Sequence, residues 1–198
     1  MPNPAGQTYA YIGLFPLDPT QDCARLRELL RGFETLPFGS PFAAVHRIHM
    51  ARLAIFDEAF YQGVPSKPDV LANRYLLFCC QFDGGKVAQL AELLAPEMLG
   101  LLGKVWGYCR DFPSPHMPAE AREQLTRYFQ TCQLKPQFFA NLQQDATVSE
   151  LLRALQLKRE FAEKARAFQF LAPSRLQAEF KAWWKGFVAS DQPERGSI

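Results

Sequence analysis

The residues most able to do chemistry lie in one apolar stretch, residues 46–57. Two histidines, His46 and His49, stand there with Arg52 among aliphatic and aromatic side chains. Removing such groups from water without partners is costly, so each needs a structural partner or a ligand. An imidazole can transfer a proton or bind a metal ion, and a nearby guanidinium can orient an anion or a peroxide. We therefore take His49 and Arg52 as candidate catalytic residues.

A purely structural role explains the same residues. In that alternative, a backbone carbonyl holds His49 in the core and Arg52 pairs with Asp83, which closes a second apolar run. Substitution distinguishes the two roles, because losing a structural partner lowers stability whereas losing a ligand contact lowers ligand binding. Both alternatives stay open at the level of sequence.

Four residues are candidates for ligand binding. They are His46, Asp83, Trp106 and Cys109, and the charge of the neighbouring Arg110 can lower the pKa of the Cys109 thiol. Pockets for small molecules are mostly apolar with a few convergent polar groups, and we expect His49, Arg52 and Asp83 to supply those groups. For Cys109, a buried and inert thiol is the competing interpretation.

The sequence lacks the motifs of several common enzyme classes. No phosphate loop, Gly-x-Gly-x-x-Gly, Gly-x-Ser-x-Gly or His-Glu-x-x-His occurs. The cysteines and histidines lack the paired spacing of zinc sites, so no metal is expected. A haem could take its axial ligand from His46, His49 or His116, although the Cys-x-x-Cys-His attachment motif is missing. Haem therefore stays a candidate, and the cofactor is not determined.

Composition narrows the partners and the compartment. The 198 residues carry 22 basic and 20 acidic side chains, a balance that does not indicate nucleic-acid binding. The five cysteines are odd in number, and Cys79 and Cys80 are adjacent in a predicted strand, which argues against a disulfide framework and for the cytoplasm. The amino terminus lacks a signal-peptide pattern, and no apolar run reaches the about 18 residues that span a bilayer.

Apolar periodicity predicts the elements that position these residues. Their order is strand, helix, strand, strand, helix, strand, which is the ferredoxin-like split βαβ arrangement. We therefore expect an α+β fold with an antiparallel four-stranded sheet and two helices on one face. The predicted bounds are 8–15, 20–33, 46–57, 74–84, 86–94 and 104–109.

Everything beyond Pro118 is predicted to be helical. We expect a ferredoxin-like domain at 1–117 and a helical extension at 118–198 packed on it. Thr147 with Glu150 three residues later is a capping box that starts one of these helices.

The last predicted helix, 174–189, carries an aromatic stripe flanked by basic residues. We expect this stripe to pack over the open face of its own sheet or of a dimer mate. A basic amphipathic helix with tryptophans can instead lie on a membrane surface or in a partner's groove. Phe161, Phe168 and Phe170 just upstream add enough aromatic surface to roof an apolar pocket. The stripe consists of Leu176, Phe180, Trp183, Trp184 and Phe187.

Three motifs resemble those of a bacterial protein group that has no established activity. Residues 49–52, 78–84 and 109–113 stand where the group has His-Phe-Ala-Arg, Phe-x-Ser-Asn-Phe-Asp-Gly and Cys-x-Gly-Tyr-Pro. Cys-Gln at 80–81 replaces Ser-Asn, and Asp111 replaces the glycine. The resemblance implies a ferredoxin-like sheet of the kind found in dimeric α/β barrels, some of which bind haem as peroxidases.

The sequence therefore predicts a protein that binds a small apolar ligand at its sheet face. If the protein is an enzyme, we expect a haem-dependent or lipid-related oxidoreductase. The competing hypothesis is a non-catalytic interaction or adaptor protein. In that case the sheet face and the aromatic helix serve assembly, such as a homodimer, or peripheral membrane contact.

Overall fold

The chain forms two compact units, Met1–Ala146 and Thr147–Ile198. The structure of both units is a computed structural model. The first is an α+β unit built on an antiparallel sheet, and the second contains a pair of helices. The structure describes residues 4–5, 7–35, 40–59, 64, 69–113, 118–139 and 146–190.

Three long strands and one strand of two residues form the sheet within the described part of the chain. The spatial order is β1-β2-β4-β3, and every neighbouring pair is antiparallel. The strands are β1 at Pro4–Ala5, β2 at Thr8–Pro16, β3 at Ile48–Ala59 and β4 at Asp69–Asp83.

Within the residues that the structure describes, the first unit contains three α-helices. They are α1 at Cys23–Gly32, α2 at Val87–Trp106 and α3 at Pro118–Thr131. Strand alternation places every second residue of β4 from Leu76 to Phe82 in the core. Helix α2 adds Leu90, Leu94 and Leu102 to the same cluster, and α3 adds Leu125 and Phe129. The core of the first unit thus lies on one face of the sheet.

The predicted fourth strand at 104–109 is wrong. Lys104 to Trp106 form the last turn of α2, which is 20 residues long and runs through Pro96 rather than ending there. Buried residues at Leu94, Met98, Leu102 and Val105 keep a spacing of three or four, so the helical period extends to the end of the segment. The structure is α+β with an antiparallel sheet, and the split βαβ arrangement is not confirmed.

Short segments, and not a full strand, line the outer edge of β2. Strand β1 pairs with its beginning, Gln133 bridges Gly13 in its middle, and Cys109 bridges Leu17 just beyond its end. An uncovered edge presents free backbone groups to other chains. These contacts satisfy part of the edge.

The second unit is a hairpin of two helices. Helix α4 spans Val148–Phe168 and α5 spans Pro173–Ala189, which confirms helix in this region, whereas the described residues 133–139, also beyond Pro118, are not helical. The predicted capping box is present: Thr147 N donates to Glu150 Oε2 at 2.7 Å, and Glu150 N donates to Thr147 Oγ1 at 3.2 Å. Among the described residues, no helix combines the length and the hydropathy needed to cross a membrane.

Candidate functional site

His49 and Asp83 form a buried pair where β3 begins and β4 ends. His49 Nε2 lies 2.7 Å from Asp83 Oδ1, and each side chain is 8% exposed. The register of β3 on β4 shifts between Ile48 and Met50, so His49 is the extra residue of a bulge. A bulge takes a side chain out of the regular alternation. This irregularity brings the imidazole to a carboxylate 34 residues away in sequence.

Backbone bonds hold the same corner. Asp83 N donates to Arg47 O at 2.8 Å, and the Arg47 guanidinium donates to Asp83 O at 2.7 Å. Gly84 N donates to Gln7 O at 3.0 Å. A Cβ on Gly84 would lie 2.8 Å from the Phe82 ring, so only glycine fits there without a shift. The Asp-Gly end of β4 therefore has a closely defined geometry.

Arg52 does not join His49. Ala51 and Leu53 pack against the core, so Arg52 between them points to the other face of the sheet, where it is exposed. Its partner across the ladder is Cys79. Burial raises the pKa of the Cys79 thiol, and the charge of Arg52 partly opposes that rise. The structure thus separates the two residues that the sequence suggested as a catalytic pair.

The remaining candidates are His46, Trp106 and Cys109. His46 is exposed. Trp106 is fully buried in the core against Phe15 and Phe78, and its Nε1 has no hydrogen-bond partner among the described residues. These placements make no convergent pocket with His49.

Cys109 is a buried thiol near the end of β2. Burial raises its pKa to about 12, and a hydrogen bond with Tyr128 opposes that rise only in part. The thiol is therefore neutral near pH 7, despite the adjacent Arg110. All five cysteines lie within the described residues, and all five are free thiols.

The pair of His49 and Asp83 resembles a general base in which a carboxylate orients the imidazole. A carboxylate that holds an imidazole can fix its tautomer for proton transfer. Catalysis also requires that substrate reach the second ring nitrogen, whereas both side chains here are almost fully buried. Neither residue lines the two cavities described below. The geometry favours a structural role, in which the pair fastens the start of β3 to the end of β4.

A haem does not fit at His49. An axial ligand needs an accessible imidazole nitrogen beside an open apolar slot, and His49 Nε2 is engaged by Asp83 in a buried corner. His116, the third histidine considered, lies outside the described residues. Over the ranges that the structure describes, no three His, Cys, Asp or Glu side chains are grouped as metal ligands.

An apolar cavity of about 580 Å³ lies in the second unit, where α4 turns into α5. Its polar lining residues are Lys164, Gln169 and Gln177. The predicted pocket lies at the sheet face, whereas the phenylalanines upstream of α5 are the sequence signal that indicates this place. The apolar lining residues are Phe161, Ala165, Phe168, Leu171, Pro173, Leu176 and Phe180.

A second cavity, of about 480 Å³, lies in the first unit beside the end of β2. Arg110, Arg127 and Asp111 contribute charges to its lining. Arg127 pairs with Glu123 at 2.9 Å. Hydrogen bonds from Thr20 are the main cause that lowers the pKa of Asp18, and the charge of Arg110 lowers it further by a smaller amount. Acidic side chains therefore balance the charges of the two guanidinium groups, and the cavity has no preference for an anionic or a cationic ligand.

No family model, curated protein or solved structure matches this chain, so its function is inferred from the geometry of its own residues.

Proposed function

We propose that the protein binds a small apolar ligand in the cavity between α4 and α5. The observation that carries this proposal is the cavity itself, about 580 Å³ in volume with mostly aromatic and aliphatic lining residues. Binding sites for small molecules usually have a volume of about 300–1,000 Å³ and an apolar wall with a few polar groups. Lys164, Gln169 and Gln177 are the polar groups that would orient a ligand.

Contacts further along the hairpin support a stable cavity. The Trp183 ring lies 6.1 Å from that of Phe161, and its Nε1 donates to Glu160 Oε2 at 3.2 Å. The Arg153 guanidinium donates to the Ser190 carbonyl at 2.8 Å and lies over the Phe187 ring at 5.1 Å. These interactions join α4 to the end of α5 and hold the hairpin together.

The cavity wall keeps much of its apolar surface in contact with solvent. Phe161 is 50% exposed, and Leu176 and Phe180 are each 39% exposed. Exposed apolar patches mark ligand grooves or partner surfaces, because leaving them in water is unfavourable. A bound apolar molecule would cover this surface.

The proposal concerns binding and includes no redox step. An oxidoreductase reaction needs a cofactor or a reactive group, and His49, the candidate for that role, is buried against Asp83. A lipid-like molecule is the class of ligand that suits an apolar wall with a lysine beside it.

The scaffold of the first unit is proposed to be a variant of the ferredoxin-like fold. The order β2, α1, β3, β4, α2 reproduces the first five elements of that pattern. The bridge between Cys109 and Leu17 lies where the sixth element would begin. We propose that this bridge is the remnant of the missing strand.

The resemblance to the bacterial group is also kept as a proposal. Asp111, which stands where the group has glycine, adopts a φ of 56°, in the region that glycine favours. Gly84 retains the glycine of the second motif at a position with no room for a Cβ. Both positions support the resemblance on physical grounds.

Titration with the neutral fluorophore Nile red tests the binding proposal. The full chain should bind it saturably, with one site per chain. Ala165→Phe places a ring in the cavity and should weaken this binding at least about tenfold, since filling an apolar site removes the space that the ligand needs. Ala167→Phe is the matched control, because this exposed alanine of α4 does not line the cavity.

Two results would contradict the proposal. One is a wild-type protein that shows no saturable binding of Nile red. The other is an Ala165→Phe variant that binds as tightly as Ala167→Phe, with both variants keeping the helix content of the wild type by circular dichroism.

A further inference from the structure

The turn between α4 and α5 presents an exposed aromatic side chain that the ligand cavity does not use. Phe170 is 95% exposed, and it is absent from the cavity lining. It stands in the connection between the end of α4 at Phe168 and the start of α5 at Pro173. Leu171 and Leu176 are close in sequence and line the cavity beside it. The turn is thus an apolar tip on a helical hairpin.

Charge is distributed unevenly between the two units. Residues 147–198 contain nine lysines and arginines and six aspartates and glutamates, a net charge of +3. Residues 1–146 contain 13 basic and 14 acidic residues, a net charge of −1. The small net charge of the whole chain therefore conceals a basic second unit.

Basic residues also flank the turn itself. Lys164, Arg166 and Arg175 all lie within six residues of Phe170, and all three are exposed. Glu163 is the single acid in residues 161–178, and Glu179 just beyond them pairs with Arg175 at 3.9 Å. An apolar tip with a basic surround matches the chemistry of an anionic lipid surface, where aromatic rings enter the interface and cations meet the headgroups.

We propose that the α4–α5 turn docks on an anionic phospholipid bilayer, with Phe170 inserted and Lys164, Arg166 and Arg175 on the headgroups. This docking surface adds a partner to the ligand cavity and does not depend on it. A bilayer suits the turn better than a second protein surface, because basic residues flank the tip on both helices and an anionic surface can meet both sets at once. The cavity opens at the same end of the hairpin, so a docked protein would hold it near lipid.

Co-sedimentation of the full chain with vesicles tests the docking. Vesicles of phosphatidylcholine with phosphatidylserine should bind the protein, vesicles of phosphatidylcholine alone should bind it weakly, and added salt should release it, because headgroup attraction is screened. Phe170→Ser should weaken binding about tenfold through loss of the inserted ring. Phe138→Ser is the matched control, since Phe138 is 83% exposed in the first unit.

A triple substitution distinguishes the effect of the positive charge near the α4–α5 turn from the effect of the net charge of the protein. Lys164→Gln, Arg166→Gln and Arg175→Gln together should abolish the difference between the two kinds of vesicle. Lys104→Gln, Arg122→Gln and Lys135→Gln remove the same charge from exposed positions of the first unit and should leave that difference largely in place. Circular dichroism checks that all variants keep the helix content of the wild type.

Several outcomes would overturn the docking proposal. These are equal binding to both kinds of vesicle, no binding to either, or no difference between Phe170→Ser and Phe138→Ser. Self-association that Phe170→Ser abolishes, in a protein that binds no vesicles, would assign the turn to a second copy of the chain. Nile red binding measured without vesicles should be unchanged by Phe170→Ser, so failure of the docking is distinguishable from failure of the cavity.

Discussion

At the scale of single residues, the contact between His49 and Asp83 shows how burial changes the meaning of a reactive side chain. The imidazole and the carboxylate are close enough for proton transfer between them, yet each side chain is 8% exposed. Arg52, three positions along the same strand, is exposed on the other face of the sheet. The two residues therefore differ in what their removal should cost.

His49→Ala should lower the free energy of unfolding by about 1–3 kcal/mol, because it removes a buried hydrogen bond to a carboxylate. Arg52→Ala should change the free energy by no more than about 0.5 kcal/mol, as is usual for exposed side chains. Urea denaturation of both variants measures the difference. A stable His49→Ala protein, or an equal loss from both substitutions, would contradict the structural role of the pair.

At the scale of elements, α5 gives α4 an apolar neighbour. Trp183 and Phe187 contact each other and α4 residues, and Phe187 is 6% exposed. Packing of the aromatic stripe of α5 over the open face of a sheet stays a prediction. Part of the stripe faces α4 within the second unit, and Trp184 remains 44% exposed.

Ending the chain after Ala172 removes α5 and should expose the apolar face of α4. Exposed patches of this kind promote aggregation, so light scattering should show large particles for the truncated protein. A chain ended after Ser190 keeps α5 and is the matched control. A monodisperse protein ending at Ala172 would show that α5 covers no apolar surface that the protein needs to bury.

At the scale of the whole molecule, buried thiols and phenols make the free energy of unfolding decrease at alkaline pH. Burial raises the pKa of Cys132 to about 11 and that of Cys109 to about 12, and it raises the pKa of Tyr11 and Tyr128 further. Well below the ordinary thiol pKa of about 8.5, these thiols hold their protons in both the folded and the unfolded chain. Above that pKa the unfolded chain loses protons that the folded chain keeps, so stability must fall.

The free energy of unfolding should therefore decrease as the pH rises from about 9 to 11. Cys132→Ala removes one contributing group and should make this decrease shallower than in the wild type. Urea denaturation at several pH values measures the slope. A slope identical in the two proteins would mean that Cys132 ionises alike in the folded and unfolded chains.

Local patterns in the sequence were sufficient for much of the architecture. The α+β class, the three long strands, the helices beyond Pro118 and the capping box of Thr147 and Glu150 follow from apolar periodicity and from capping. These signals depend on residues within a few positions of one another. These features can therefore be predicted from the sequence alone.

Contacts between distant residues decided the rest. Whether 104–106 is strand or helix depended on the core that α2 enters, and only folding brings Gln133 and Cys109 to the edge of β2. His49 meets Asp83 through a bulge, which takes its side chain out of the regular strand alternation. The cavity lies at the α4–α5 turn because two helices must pack together before they can enclose a space. Periodicity determines which residues are buried, whereas tertiary packing determines which of them meet.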